Sequence, residues 1–177
     1  MEPFATPAAD HLQEEIWEVY PLISPTKFLV LCVLTLGLYG LWWQYKTWRF
    51  FKQWQRTDTW PVARAVFSLF TVNELLRAIN QFAYSTGEYT PIPNPTGLAA
   101  GYIILNLLAR LPDPLWIVAL GASGFLVPAY RAFRNAMLQV PAYGGRNQKK
   151  FSARQVVVLM LGLVCWSLVL IGLTMGE

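Results

Sequence analysis

The sequence predicts an all-α integral membrane protein, with about four transmembrane helices plus one amphipathic helix lying in the membrane plane. Three observations carry that prediction. Hydrophobic residues make up 55% of the 177 and charged residues only 14%, against roughly 25% charged in an ordinary soluble domain, and the mean hydropathy is +0.36. Uncharged apolar runs recur at lengths matching a bilayer core roughly 30 Å thick, which needs about 20 helical residues. Eleven of the 14 Lys and Arg residues fall in two stretches, Lys46 to Arg64 and Arg131 to Arg154, as expected of cytoplasmic segments.

Residues 1–26 read as an acidic tail, which carries half of the ten carboxylates and no Lys or Arg. Its lack of an apolar h-region predicts that it is retained rather than cleaved. The remainder, 27–177, reads as a single membrane domain. Ser24 and Pro25 form an N-cap and first-turn pair for a first span over 27–45, whose far end carries Trp42, Trp43 and Tyr45 at the expected headgroup level. Over 46–58, Lys46, Arg49, Lys52 and Arg56 share one helix face, with Trp48, Phe51 and Trp54 elsewhere around it. This predicts a basic-aromatic surface helix contacting anionic headgroups. Basic residues interleaved with aromatics also suit nucleic acid, but next to a span lipid is favoured.

Pro61 opens an amphipathic helix over 61–84, with Arg64, Ser68, Thr71, Glu74, Arg77 and Gln81 in one stripe. It either lies in the interface, the favoured reading, or spans facing a polar interior. The next apolar segment is too long for one span. LPDP interrupts it, giving a hairpin of 97–111 and 114–130 with Asp113-Pro114 capping the second arm and Pro128 as a possible bend. A basic cytoplasmic loop over 131–152 precedes the last span, 153–175, opened by a Ser152/Gln155 capping box. Cation counting then places the N-terminus outside and both basic stretches inside. LPDP and the end of the last span lie outside. If the Pro61 helix crosses, the first hairpin arm must be re-entrant.

The segment SPTKFLVLCVLTLGLYGLWWQYKTW, with TLGLYG followed by aromatics and YK, resembles a motif of uncharacterised small bacterial multi-pass membrane proteins. An RAxF-like helix start (Arg64-Ala65-Val66-Phe67), an LPDP-W element (Leu111 to Trp116) and a terminal span after a basic loop extend the likeness, in the same order, over most of the chain. The resemblance implies a bacterial cytoplasmic (inner) membrane protein and no activity.

Catalysis needs a nucleophile, a tuned acid or base, or a metal, and the inventory is thin. The one histidine, His11, sits in the tail near Glu14, Glu15 and Glu18, a pattern that a solvated helix explains as well as a cation site. Cys32 and Cys165 lie in separate apolar runs, giving neither a disulfide framework nor a thiolate metal site. Neither Gly37-Leu-Tyr-Gly40 nor Gly144-Gly145 continues as a phosphate loop. No catalytic residue, cofactor or metal is therefore expected.

Polar groups at membrane depth are the functional candidates: Arg64, Asn73, Glu74 and Arg77 on the Pro61 helix, with Glu74 and Arg77 at pairing distance i,i+3, and Asn106 and Arg110 on the hairpin. Arg110 is expected to snorkel toward Asp113. Gly37, Gly40, Gly97, Gly101, Gly121 and Gly124 mark expected close approaches of helices, Gly97 and Gly101 with GxxxG spacing. The function expected is a non-enzymatic membrane protein working through lipid or protein contacts, as an accessory subunit or immunity-type protein, partnered by another membrane protein or by its own copies and not by nucleic acid. The alternative is an oligomeric pore or carrier subunit whose path is lined by those polar residues. An intramembrane enzyme would need a base beside Cys165 or Ser167, and none is visible.

Overall fold

The computed structural model describes residues 20–56, 58, 60–87, 92–112, 115–140, 143–148 and 152–175. The acidic tail before Tyr20, the Asp113-Pro114 cap and Lys149-Lys150 lie outside them. Among the described residues the fold is all-α apart from one short strand pair: β1 (Tyr20–Leu22), α1 (Pro25–Leu34), α2 (Leu38–Trp54), α3 (Pro61–Val66), α4 (Ser68–Ser85), α5 (Pro95–Leu107), α6 (Ala122–Gln139), β2 (Gly145–Asn147) and α7 (Ala153–Met175). Among the described residues two helical stretches, Trp116–Gln139 and Gln155–Gly172, are long and apolar enough to cross a membrane, rather than the four expected.

The largest departure concerns 27–45, which is not one helix. Ser24 caps α1 as expected, its Oγ accepting the Lys27 N–H at 3.4 Å. The helix then ends after ten residues, about 15 Å at 1.5 Å per residue, and the chain reverses. Gly37 N–H bonds the Cys32 carbonyl at 2.7 Å and Leu36 N–H the Val33 carbonyl at 3.1 Å, the paired bonds of a Schellman turn. Leu36 takes the left-handed position (φ 52°) and Gly37 follows at φ 90°. The Thr35 hydroxyl joins the two helices, donating to the Leu31 carbonyl at 2.7 Å and accepting the Tyr39 N–H at 2.9 Å.

The result is an antiparallel helical hairpin with Thr35–Gly37 at its tip. A Cβ at Gly40 would sit 3.6 Å from Cys32 Sγ. Further down, Phe28 lies 5.3 Å from Trp43, and at the open end the Tyr20 hydroxyl donates to the Lys46 carbonyl. Tyr20–Leu22 pairs in parallel with Gly145–Asn147, so the chain entering the hairpin, the chain leaving it and the loop before α7 meet at one end of the molecule. An arrangement with Tyr20 and that loop on opposite sides of a membrane, as the cation count implied, does not fit this pairing.

The 46–58 surface helix is corrected too. Lys46 to Trp54 continues α2, and its aromatic side is core: Trp48, Phe50 and Phe51 are buried. Phe50 and Phe51 meet Phe82 of α4 and Phe133 of α6 edge to face, with centroids 4.9 to 6.2 Å apart. Such offset pairs add about 0.5–1.5 kcal/mol each beyond area burial. On the other side of the hairpin Phe28 stacks on Tyr130 at 4.2 Å, whose hydroxyl donates to the Ile23 carbonyl at 2.9 Å.

The 61–84 helix is interrupted at Phe67, where the Thr71 hydroxyl donates to the Arg64 carbonyl at 2.6 Å and satisfies an acceptor at the break. Its amphipathic pattern holds, with Val72, Leu75, Leu76, Ile79 and Phe82 turned into the core against α5 and α6. The second hairpin forms as expected, with Asn94 as N-cap of α5 through a 3.0 Å bond from Gly97 N–H. Its return arm starts as a 3-10 helix over Leu115–Gly121 and continues as α6 to Gln139. Arg131 to Gln139, assigned to the basic loop, is therefore helix. α7 covers the predicted range, starting beside β2 and passing the tip of the first hairpin. There a Cβ at Gly162 would lie 2.5 Å from the Leu34 carbonyl oxygen, and Trp166 Nε1 donates to the Val33 carbonyl at 3.2 Å.

Candidate functional site

The polar cluster read from the sequence is only partly assembled. Glu74 pairs with Arg64 rather than with Arg77, Oε2 to Nη1 at 3.1 Å, and the Arg64 guanidinium also lies over the Trp48 ring, 4.3 Å from its centroid. An i,i+3 pairing was expected because neighbours on one helix are close; instead Arg64, on the far side of the break at Phe67, reaches Glu74. Arg77 is exposed. Asn73 Oδ1 is shielded and has no hydrogen-bond partner among the described residues. Asn106 bonds within its own helix: its Nδ2 donates to the Tyr102 carbonyl one turn back at 2.8 Å. It is Tyr102 that makes the interhelical bond, its hydroxyl accepting from Nε2 of the fully buried Gln44 at 3.2 Å. Arg110 is exposed in the 3-10 turn after α5. The six residues do not converge on one point, and a path between copies would rest on the Arg64–Glu74 pair alone as a joined unit.

The glycines separate in the same way. Gly101 is a close-approach site, since a Cβ there would come within 2.7 Å of Phe125 Cδ1 on α6. Gly40 and Gly121 make ordinary contacts, with Cys32 and Leu126 in the first case and Leu105 in the second. Gly37 serves the turn, Gly97 faces its own N-cap Asn94, and Gly124 faces open space. Gly162 and Gly145, where a Cβ would stand 2.5 Å from the carbonyl oxygens of Leu34 and Met137 respectively, were missed because neither contact lies within one helix and so neither has a local spacing signal.

A second site, not foreseen from the sequence, lies between the first hairpin and α7. Tyr39, Trp42 and Lys46 fall at helical spacing on one face of α2; Gln155, Val158, Gly162 and Cys165 do so on α7. The two faces flank a groove of about 1200 Å³ closed at one end by the hairpin tip and at the other by Arg146, Asn147 and Gln148. Its polar end is organised by the Ser152/Gln155 capping box, which forms as predicted: Gln155 Oε1 accepts the Ser152 N–H at 2.9 Å and Ser152 Oγ the Gln155 N–H at 3.3 Å.

That box is also a junction. Gln148 Nε2 donates to Gln155 Oε1 at 3.2 Å, and Gln155 Nε2 donates to the Tyr39 hydroxyl at 3.5 Å. Gln148 Oε1 is shielded and without a partner among the described residues. Among the described lining residues Lys46 and Arg146 are the cations of this end, Lys46 Nζ lying 5.4 Å from the Tyr20 ring centroid. No carboxylate lines the groove among the described residues, and its other end is apolar, with Leu34, Leu36, Leu38 and Leu161. Of the residues expected to contact headgroups, Lys46 lines the groove, and Lys52, outside it, lies 3.6 Å from Asp58.

Among the described residues no group of three His, Cys, Asp or Glu side chains is disposed to hold a metal ion. No protein-family model matches this chain, and no curated protein or solved structure does either.

Proposed function

We propose that the chain is an integral membrane protein that acts by contact, without catalysis, through the lipid- or protein-facing surface of α7. One observation carries this reading: α7 is uncharged from Gln155 to Thr174 and exposes Val156, Val157, Leu161, Leu163, Leu168 and Leu170 over about half of its circumference, with Val158, Gly162 and Val169 on the remaining side, while α1, α2, α4 and α6 form a buried core beside it. A helix apolar on all sides belongs inside a larger protein or in lipid. On this reading Trp116–Gln139 and α7 cross the bilayer, and the shorter arm over Pro95–Arg110 crosses beside Trp116–Gln139, because Tyr20 and β2 share a face. The first hairpin enters and returns from one face, and the concentration of cations at its open end supports taking that face as cytoplasmic. Its tip satisfies its own backbone hydrogen bonds, as a non-helical turn at membrane depth must. The sequence resemblance supports a bacterial inner membrane as its location.

The test is extraction and photo-crosslinking. The chain should resist alkaline extraction from membranes, and a photoreactive residue at Val157 or Leu168 should label lipid or a protein of defined mass. A species that is monodisperse in water without detergent would contradict the proposal, as would crosslinks confined to the chain's own core.

A further inference from the structure

We propose that the groove between the first hairpin and α7 holds one anionic phospholipid of the adjoining leaflet, its phosphate near Lys46 and Arg146 and its acyl chains along Trp42, Leu38, Val158 and Leu161. The inference rests on the membrane reading above and goes beyond it by naming a site and a ligand class. Size is the first argument. About 1200 Å³ exceeds the ~300–1,000 Å³ of an ordinary small-molecule cleft, and the α7 wall from Ser152 to Cys165 is about 20 Å long at 1.5 Å per residue, enough for a headgroup plus the ~15 Å hydrocarbon depth of one leaflet.

Polarity is the second argument. Both cations and the amide groups of Asn147, Gln148 and Gln155 collect at one end, the opposite end is apolar, and no carboxylate opposes an anion among the described lining residues. That distribution matches an anionic amphiphile in one orientation, with its head level with the basic end of the molecule. The third argument concerns the headgroup. Among the described residues Gln148 Oε1 is an acceptor without a donor, and its amide orientation is fixed because Nε2 must serve Gln155 Oε1, which the Ser152 N–H identifies as the acceptor. A buried acceptor left unpaired is costly. A phosphate oxygen or a choline group cannot relieve it, whereas a headgroup with a donor can, which favours a glycerol headgroup over choline.

The test is native mass spectrometry of the detergent-purified full chain titrated with dioleoyl phosphatidylglycerol, phosphatidic acid or phosphatidylcholine. One phosphatidylglycerol should be retained at least 10-fold more tightly than phosphatidylcholine, with phosphatidic acid between them. At about 5-fold per surface cation, Lys46→Gln with Arg146→Gln should weaken retention by ~30-fold, whereas Lys52→Gln with Arg56→Gln should change it little. Cys165→Trp, which fills the apolar end without touching charge, should also release the lipid, with folding checked by thermal melting. Equal retention of phosphatidylglycerol and phosphatidylcholine, or equal loss in the two charge pairs, would overturn the lipid site while leaving the membrane reading intact. A chain soluble in water would overturn that reading first.

Discussion

Replacing Gly162 by Ala tests the seam between α7 and the first hairpin with a single methyl group. The new Cβ would stand 2.5 Å from the Leu34 carbonyl oxygen, 3.0 Å from its carbon and 3.3 Å from Leu34 Cβ. These are backbone or near-backbone atoms that cannot swing aside, so α7 must retreat by roughly 1 Å to reach ordinary contact distances. The Trp166–Val33 hydrogen bond, now 3.2 Å, would then stretch beyond useful range. Overpacking costs about 1–3 kcal/mol and the lost bond about 0.6–1.5 kcal/mol, against ~0.5–1 kcal/mol gained when Gly becomes Ala within a helix. The net loss of ~2 kcal/mol corresponds to a melting temperature lower by about 4–8 °C for a chain of this size. Gly172, whose Cβ would meet nothing within 4 Å, is the control: Gly172→Ala should raise the melting temperature by about 1–4 °C. Thermal unfolding in detergent followed by tryptophan fluorescence reads both. A Gly162→Ala protein that melts at or above the parent temperature would refute the seam.

The hairpin tip gives two opposite outcomes. Thr35→Ala removes the hydroxyl bonded at 2.7 and 2.9 Å on either side of the turn and should destabilise by about 1–2 kcal/mol, whereas Leu36→Gly relieves a left-handed leucine and should stabilise by ~1 kcal/mol; thermal melting of both variants checks the pair. In the aromatic core, Phe82→Ala should cost about 3–5 kcal/mol, while Phe70→Ala, at a side chain 81% exposed, should stay within about 0.5 kcal/mol. Equal melting temperatures for those two variants would contradict the packing described.

What the sequence discloses here is mostly local. The range of α7, the Ser24 cap, the Ser152/Gln155 box and the buried stripe of α4 each follow from residues within one or two helical turns of one another. The reversal at Thr35–Gly37 does not, because an unbroken apolar run has the same hydropathy whether it crosses or turns back. Its one local cue, Thr-Leu-Gly, lies among residues that also suit a span, and a leucine is an uncommon occupant of the left-handed position. The aromatics of α2 are ambiguous for a related reason: Trp and Tyr favour both headgroup regions and cores, and only Phe82 and Phe133, far along the chain, decide for the core. The groove was illegible because Lys46, Arg146 and Cys165 are joined by the β1–β2 pairing and the Gly162 contact, neither of which has a sequence signal.

The same-side geometry of the first hairpin carries the whole topology, and accessible single cysteines test it most directly. In a chain with Cys32 and Cys165 replaced, cysteines at the exposed positions Thr26, Gln53, Asn147 and Arg110 are labelled with a membrane-impermeant maleimide in intact cells and in inverted vesicles. The hairpin predicts that Thr26, Gln53 and Asn147 react from the same face, the vesicle exterior, and that Arg110 reacts from the other. Labelling of Thr26 and Gln53 from opposite faces would mean that 27–45 crosses the membrane as a single span, and would contradict the account.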